Sequence, residues 1–393
     1  MILPAAAAGG GLQDIEPMVP GGGAGIPEFP RAEPDKPGLV QTLTHDDFGG
    51  VTSIVVAPGG RHAYAAAFHK GLVSQLARIP ATGRLVHEKS LTGAHYAGAV
   101  AFRLSKDGKL GAVSAFRSNA LVLFRCDPVT GGLAETDHFG GVDKPLPGLG
   151  FCVDNVFSPD GKFVYAVGSS AIVAFGITDG KLQHVETVTA PKFEGLPAEN
   201  IMSGARGVAI SPDGKCLYST WNGSGTLVVH QRDAKSGKLT LLQTIRNGVE
   251  FEKGLKGVMH VALSPAGEHL YTAAGRFGGD DAVCAFSVEK ESGRLNFIQC
   301  LTGNELPADF GGGNEIVASP DGLQLAVACT LSDCLARFSR DPETGKLRAI
   351  DGFACGPPAK PGACGVAYDP TGRFLHVADE NSESVVVFRN LTR

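Results

Sequence analysis

Apolar residues in this chain fall into short runs cut by turn residues at a regular beat. In the stretch 204–245 the runs RGVAI, KCLYSTW, TLVVHQR and KLTLLQTI are separated by SPDG, a Gly-rich turn and DAKSG. Runs of this length, rich in Val, Ile, Leu, Thr and Tyr and bounded by Pro-Asp-Gly or Ser-Gly, predict antiparallel strands joined by tight hairpins. One such four-stranded meander cannot cover its own two faces, so it predicts neighbours of the same kind.

Those neighbours are present. The turn glycine recurs as Gly60, Gly108, Gly161, Gly214, Gly267, Gly322 and Gly372, with successive spacings of 48, 53, 53, 53, 55 and 50 residues. A period near fifty with four strands per repeat predicts an all-β, seven-bladed β-propeller of four-stranded antiparallel blades. The turn chemistry repeats too, as APGG, SKDG, SPDG, SPDG, SPAG, SPDG and DPTG. Gly supplies a positive φ, Pro presets the turn entry, and Asp or Ser bonds back to the backbone. Repetition assigns the turn Asp and Thr residues to turn formation rather than to a metal or phosphate.

The expected blades cover about 48–93, 96–139, 149–190, 203–247, 256–303, 312–355 and 363–390. The last holds only three strands, GVAY, RFLHVAD and SVVVFRN, while residues 38–47, GLVQTLTHDD, match the fourth strand of the other blades. An N-terminal strand completing the last blade would close the ring and leave no open sheet edge. Residues 38–393 are therefore expected to form one domain. Residues 1–37, rich in Ala, Gly and Pro, are expected to be a flexible tail. The longer connections 140–148, 191–202, 246–255 and 304–311 fall between blades, where scaffolded loops carry function.

Composition narrows the field. A net charge of −5 argues against nucleic-acid or anionic-membrane partners, and no window approaches a membrane span. The nine cysteines are odd in number and never form CxxC, which removes zinc-ribbon and dithiol readings. Cys216, Cys284 and Cys329 fall within strands, where a free Cys acts as a small hydrophobe; this favours a reducing, cytoplasmic setting. Export remains the alternative, in which Cys355 and Cys364 would be candidates to pair. Trp221 reads as a blade-packing residue, and His62, His69, His87, His95 and His138 are scattered without ligand spacing. No cofactor or metal is expected from any ligand cluster.

Candidate chemistry appears where the repeats are aligned. The first strand of each blade lines the channel, so its opening residues converge. Counting five and four positions back from the turn Ser or its equivalent gives Thr52–Ser53, Val100–Ala101, Val153–Asp154, Arg206–Gly207, Met259–His260, Asn314–Glu315 and Cys364–Gly365. Asp154, Arg206, His260 and Glu315 stand at places that are otherwise apolar or small, and such groups are seldom buried without partners. They predict either a polar site at the channel mouth or a structural ion-pair network.

The repeats SPDGKCLYSTWNGSGTLVVHQRDAKSGKLTLLQ and SPDGLQLAVACTLSDCLARFSRDPETGKL, and the final GVAYDPTGRFLHVADENSESVVVFRN, resemble the propeller-fold lactonase family, which includes 6-phosphogluconolactonases. The resemblance covers nearly all of 40–390. It places Glu315, in GNEIVASPDG, at the family's acidic position, and His260, in GVMHVALSPAG, at its histidine. Met259 stands at the family's arginine position, with Arg206 available one blade earlier. The family's His-Pro-His entry and Asp-Leu-Gly turn have no counterpart, and Cys329-Thr330-Leu331 replaces its Asn-Arg-Gly, leaving fewer positive groups for a phosphate.

The resemblance thus implies hydrolysis of a sugar-acid lactone. Arg206 would stabilise the oxyanion, His260 or Glu315 would activate water with the other orienting it, and Asp154 and Asn314 would bind substrate. The alternative is a non-catalytic propeller binding a protein or small ligand on its loop face.

Overall fold

The computed structural model describes residues 38–189, 204–356 and 361–391. The expected tail 1–37 and the connection 191–202 lie outside these residues. The described residues form twenty-eight strands, numbered β1–β28 in chain order, in seven four-stranded sheets. The inner strands are β2 (Val51–Val56), β6 (Ala99–Leu104), β10 (Asp154–Phe157), β14 (Ala205–Ile210), β18 (Val258–Leu263), β22 (Gly313–Ala318) and β26 (Ala363–Tyr368). Each touches the next in that order, and β26 touches β2, so the ring is closed.

Closure comes from the N-terminus, as the repeat count requires. β1 (Leu39–Thr44) pairs antiparallel with β28 (Ser384–Arg389), giving the sheet order β1-β28-β27-β26, with β27 at Phe374–Asp379. Val40 and Leu43 pack against a core of Phe48, Val51, Phe374 and Val385.

Turn residues act as their chemistry predicts. In SPDG, Ser158 Oγ donates to Asp160 Oδ1 (2.5 Å), which also accepts from Lys162 N–H (3.1 Å), and Gly161 N–H donates to Ser158 O (2.9 Å). The seven turn glycines have φ between 69° and 79°, a region costly for any Cβ-bearing residue.

Adjacent blades are bolted together by another repeat. Tyr64, Tyr165, Tyr218 and Tyr271, each on a second strand, donate their hydroxyls to Gly131, Gly237, Gly293 and Gly345 carbonyls of the following blade, at 2.8–3.1 Å. In the last blade His376 Nε2 faces Gly83 O at 3.1 Å. Trp221 is fully buried against Val153, Leu217 and Val228, and its Nε1–H donates to Ser219 Oγ (2.9 Å).

The cysteines depart from expectation at one place. Cys284 and Cys300, directly opposite on β20 (Ala282–Val288) and β21 (Leu295–Thr302), are joined as a disulfide, so Cys284 is not a free hydrophobe. Cross-strand register, which spacing in sequence does not reveal, brings them together. Cys355 and Cys364 are both free and buried.

Candidate functional site

A single structural device sets the site's geometry. Six of the seven inner strands carry a β-bulge at their start, recognised by a register shift across Thr52, Val100, Arg206, Met259, Asn314 and Cys364. These are the residues five positions before the turn. A bulge leaves its extra residue out of the ladder and re-aims the side chains beside it. The residue four positions before the turn then reaches across to the next blade, in the third blade too, whose inner strand has no bulge. Ser53 Oγ, Asp154 Oδ2 and Glu315 Oε2 accept from the backbone N–H of Phe102 (3.2 Å), Val208 (3.2 Å) and Val366 (3.1 Å). Gly207 occupies the same position, and a Cβ there would come within 2.9 Å of His260 Cα.

Asp154, His260 and Glu315 are therefore brought together, and the guanidinium among them belongs to Arg103 on β6. Arg103 Nε donates to Asp154 Oδ1 (2.9 Å) and Nη1 pairs with Glu315 Oε1 (2.8 Å). Arg103 Nη2 lies 3.4 Å from His260 Nε2, which is also 3.4 Å from Asp154 Oδ2 and 4.0 Å from Glu315 Oε1. Both carboxylates are buried, while the His260 and Arg103 side chains keep 15% and 21% exposure, enough for a solute to touch them.

Burial opposes charge on Asp154, but Arg103, joined by His260 whenever its ring is cationic, outweighs it and holds the carboxyl below its ordinary range. Burial likewise works against Arg103, yet Asp154 and Glu315 raise it above its ordinary value. His260 Nδ1 sits 3.2 Å from the Ile316 carbonyl, which only accepts. Nδ1 therefore carries the proton, and in the neutral ring the lone pair is on Nε2, facing Arg103.

Arg103 could have been found in the sequence. Two positions before the turn residue the other blades carry Val55, Val156, Ala209, Ala262, Val317 and Ala367; only the second has an arginine. Alignment at the strand openings stops short of it.

Arg206 lies apart from this group. Its guanidinium stacks over Phe277, 4.7 Å from the ring centroid, and among the described residues its buried Nε has no hydrogen-bond partner. Burial, then the nearby Arg276 charge, pushes its pKa down to about 10. Arg276 itself pairs with Glu380 (2.7 Å). Asn314 donates through Nδ2 to Cys364 O (2.7 Å), tying its bulge to the next blade.

A cavity of about 420 Å³ opens onto the cluster. Arg103 and His260 line it together with Pro58, Lys106, Asn155 and Phe157. Pro58 and Lys106 follow the inner strands β2 and β6, so the cavity occupies the end of the channel opposite Arg206, which begins β14. No helix among the described residues is long and apolar enough to cross a membrane.

The chain is similar to known proteins of this architecture. It is 27% identical over 255 residues to a 6-phosphogluconolactonase of Formosa agariphila, covering 63% of this chain and 68% of that protein. An uncharacterised protein of Lactococcus lactis is 28% identical over 223 residues, covering 55% of this chain and 60% of that one, so less than two thirds of this relative's length is spanned. Among solved structures, the periplasmic gluconolactonase of Pseudomonas aeruginosa superposes with a TM-score of 0.63 at 22% identity, covering 78% of this chain and 85% of that one. The Cps50 β-propeller domain of Myceliophteria thermophila superposes with a TM-score of 0.67 at 12% identity, covering 89% and 99%. These two likenesses concern the fold alone. The family model described as lactonase, 7-bladed beta-propeller, matches residues 154–359, just over half of the chain, and the protein belongs to that family.

Proposed function

We propose that this propeller hydrolyses a lactone of a sugar acid in the channel cavity, with His260 as general base and Arg103 as the oxyanion donor. What supports this most is one imidazole. His260 has its Nδ1 proton committed to Ile316 O and its Nε2 lone pair beside a guanidinium, at the wall of a cavity sized for a small ligand. Nε2 takes a proton from water, the hydroxide adds to the lactone carbonyl, and Arg103 Nη2 faces the developing oxyanion. Collapse breaks the ring C–O bond, and the imidazolium returns its proton to the leaving oxygen. Asp154, 3.4 Å from Nε2, stabilises the imidazolium in between. Glu315 and Asp154 hold Arg103 by two edges and fix its third toward the cavity. Lys106 at the cavity wall suits the anionic product. Geometry favours Arg103 over Arg206 as donor, while Arg206 and Arg276 gather positive charge at the other mouth of the channel.

A pH-stat panel of five- and six-membered aldonolactones tests this. Wild type is expected to hydrolyse at least one, and His260→Gln to lower kcat/KM by about 10²–10⁴-fold with little change in melting temperature. Lack of hydrolysis on every lactone would overturn the reading. It would favour a binding propeller, in which the same four side chains only staple blades. That second reading has support in Ser53, which makes the same inter-blade link as Asp154 and Glu315 without any charge.

A further inference from the structure

The histidines that look scattered in sequence meet in the fold. We propose that His95, His138 and Asp143 form a binding site for a divalent transition-metal ion of the zinc class. It lies outside the channel cluster, at the end of the ring where the inner strands begin. His95 precedes β6, His138 lies on β9 (Leu133–Phe139), and Asp143 belongs to the inter-blade connection that follows.

Donor geometry comes first. His138 Nε2 lies 2.9 Å from Asp143 Oδ2, and His95 Nδ1 lies 3.7 Å from Asp143 Oδ1. The three donor atoms fall within 4.8 Å of one another. Tetrahedral zinc with bonds of about 2.0–2.1 Å needs donors roughly 3.3 Å apart; the two distances, each to a different oxygen of Asp143, lie on either side of that value. The two imidazoles lie face to face with centroids 3.6 Å apart, which keeps their nitrogens on neighbouring edges. Two nitrogens and one oxygen suit zinc or nickel. Asp143, 47% exposed, leaves the remaining position open to water.

The surroundings supply a second, independent observation. Gly141 has φ +72°, and a Cβ there would lie 3.0 Å from His95 Nδ1 and 3.2 Å from Asp143 Oδ1. The loop thus keeps a side chain out of the space between two of the donors. Behind His138, Glu135 Oε1 stands 3.8 Å from Nδ1, and Glu135 is itself held by the Tyr96 hydroxyl (2.7 Å). A carboxylate behind a ligating imidazole orients it and raises its basicity.

Blade alignment shows that His138 is no part of the scaffold. Relative to the outer-strand bulge, the equivalent positions hold Thr42, Ser90, Thr187, Thr244, Cys300 and Gly352. The other His-His-carboxylate group, His45, Asp47 and His87, fails the same comparison. His87 occupies a bulge position that His184 also fills, and each bonds the Ser or Thr three residues on at 3.0 Å. His45 Nδ1 already accepts from Asp47 N–H (3.1 Å), and Asp47 Oδ2 accepts from Ser90 Oγ (2.6 Å). That group is a structural clasp and serves as the control.

Chelator-treated full-length protein is titrated with Zn²⁺ by calorimetry and with Co²⁺ by visible absorption. Saturable binding of a single ion per chain is expected, with cobalt d–d bands of a four- or five-coordinate site. Asp143→Asn, at an exposed position that leaves folding intact, and His138→Gln should each weaken binding at least about tenfold. The double variant His45→Gln/His87→Gln should bind as wild type does. No saturable binding, binding indifferent to both Asp143→Asn and His138→Gln, or binding lost in the His45/His87 variant would each overturn the proposal. None of these outcomes depends on lactone hydrolysis.

Discussion

Asp333 and Asp379 are buried at the seam between the sixth and seventh blades. Asp333 accepts from the backbone N–H of Gly356 (2.6 Å) and Gly362 (3.3 Å), and Asp379 Oδ1 from that of Ser382 (3.2 Å). Among the described residues Asp379 Oδ2 has no hydrogen-bond donor. Burial and then the charge of Asp379 raise Asp333 well above the ordinary carboxylate range, and burial raises Asp379. One proton shared by the pair supplies the missing donor. Because the folded pKa is raised, the stability it confers is fully present below the unfolded value of about 3.9 and is lost as pH climbs through the folded value. Asp379→Asn places its amide hydrogens where Oδ2 lacks a donor, while its remaining oxygen still accepts from the Ser382 N–H. It should stabilise the protein by about 1–2 kcal/mol at pH 9 and flatten the decline of melting temperature between pH 5 and 9. An equal loss of stability at both pH values would show that the pair shares no proton.

At the scale of the strand, the inter-blade tyrosines differ in a way that mutation can read. Tyr218 OH donates to Gly293 O and otherwise meets the Cys216 thiol, whereas Tyr165 OH also accepts from Arg232 Nε (2.5 Å), whose Nη1 is bound to Gly214 O (3.0 Å). Tyr218→Phe should cost about 1 kcal/mol, and Tyr165→Phe about 2–3 kcal/mol, because the latter leaves a buried guanidinium short of an acceptor. Urea unfolding of the two variants checks the order; equal costs would mean that the arginine finds another partner. These elements also mark how far the sequence can be read. Strands, turns and the closing β1 are legible because each follows a local period that recurs in every blade. The bulges are not: one unpaired residue leaves the apolar pattern intact while re-aiming the side chains after it. The opening residues of the inner strands can therefore be picked out, but not which of them meet, so Arg206 looks like the partner of His260 where the fold supplies Arg103. His95 and His138 escape notice for a different reason. They lie 43 residues apart on different elements, and only register brings the rings within 3.6 Å.

For the molecule as a whole, the closing contact is the one on which the others depend. A ring of seven blades buries the faces of each sheet only while neighbours stand on both sides, and the last blade obtains its outer strand from the other end of the chain. β1 fills the edge of β28 through the pairs Gln41↔Val387, Thr42↔Val386, Leu43↔Val385 and Thr44↔Ser384. The Gln41 side chain extends the lock to the first blade, donating to Leu85 O (2.9 Å) and accepting from Leu85 N–H (2.8 Å). Gln243 and Gln299 make the same two-way bond to Leu295 and Leu347. Removing β1 exposes a row of unpaired N–H and C=O groups and the apolar face under Val40 and Leu43, a template for strand addition by another copy. Deleting residues 1–37 should therefore leave the melting temperature within a degree or two of wild type, since β1 and its pairing remain. Deleting residues 1–47 should lower it sharply or give aggregated protein. A synthetic peptide of residues 38–47, added in excess, should recover part of the loss by mass action. Equal melting temperatures for the two truncations would show that the ring is held by its inner strands alone.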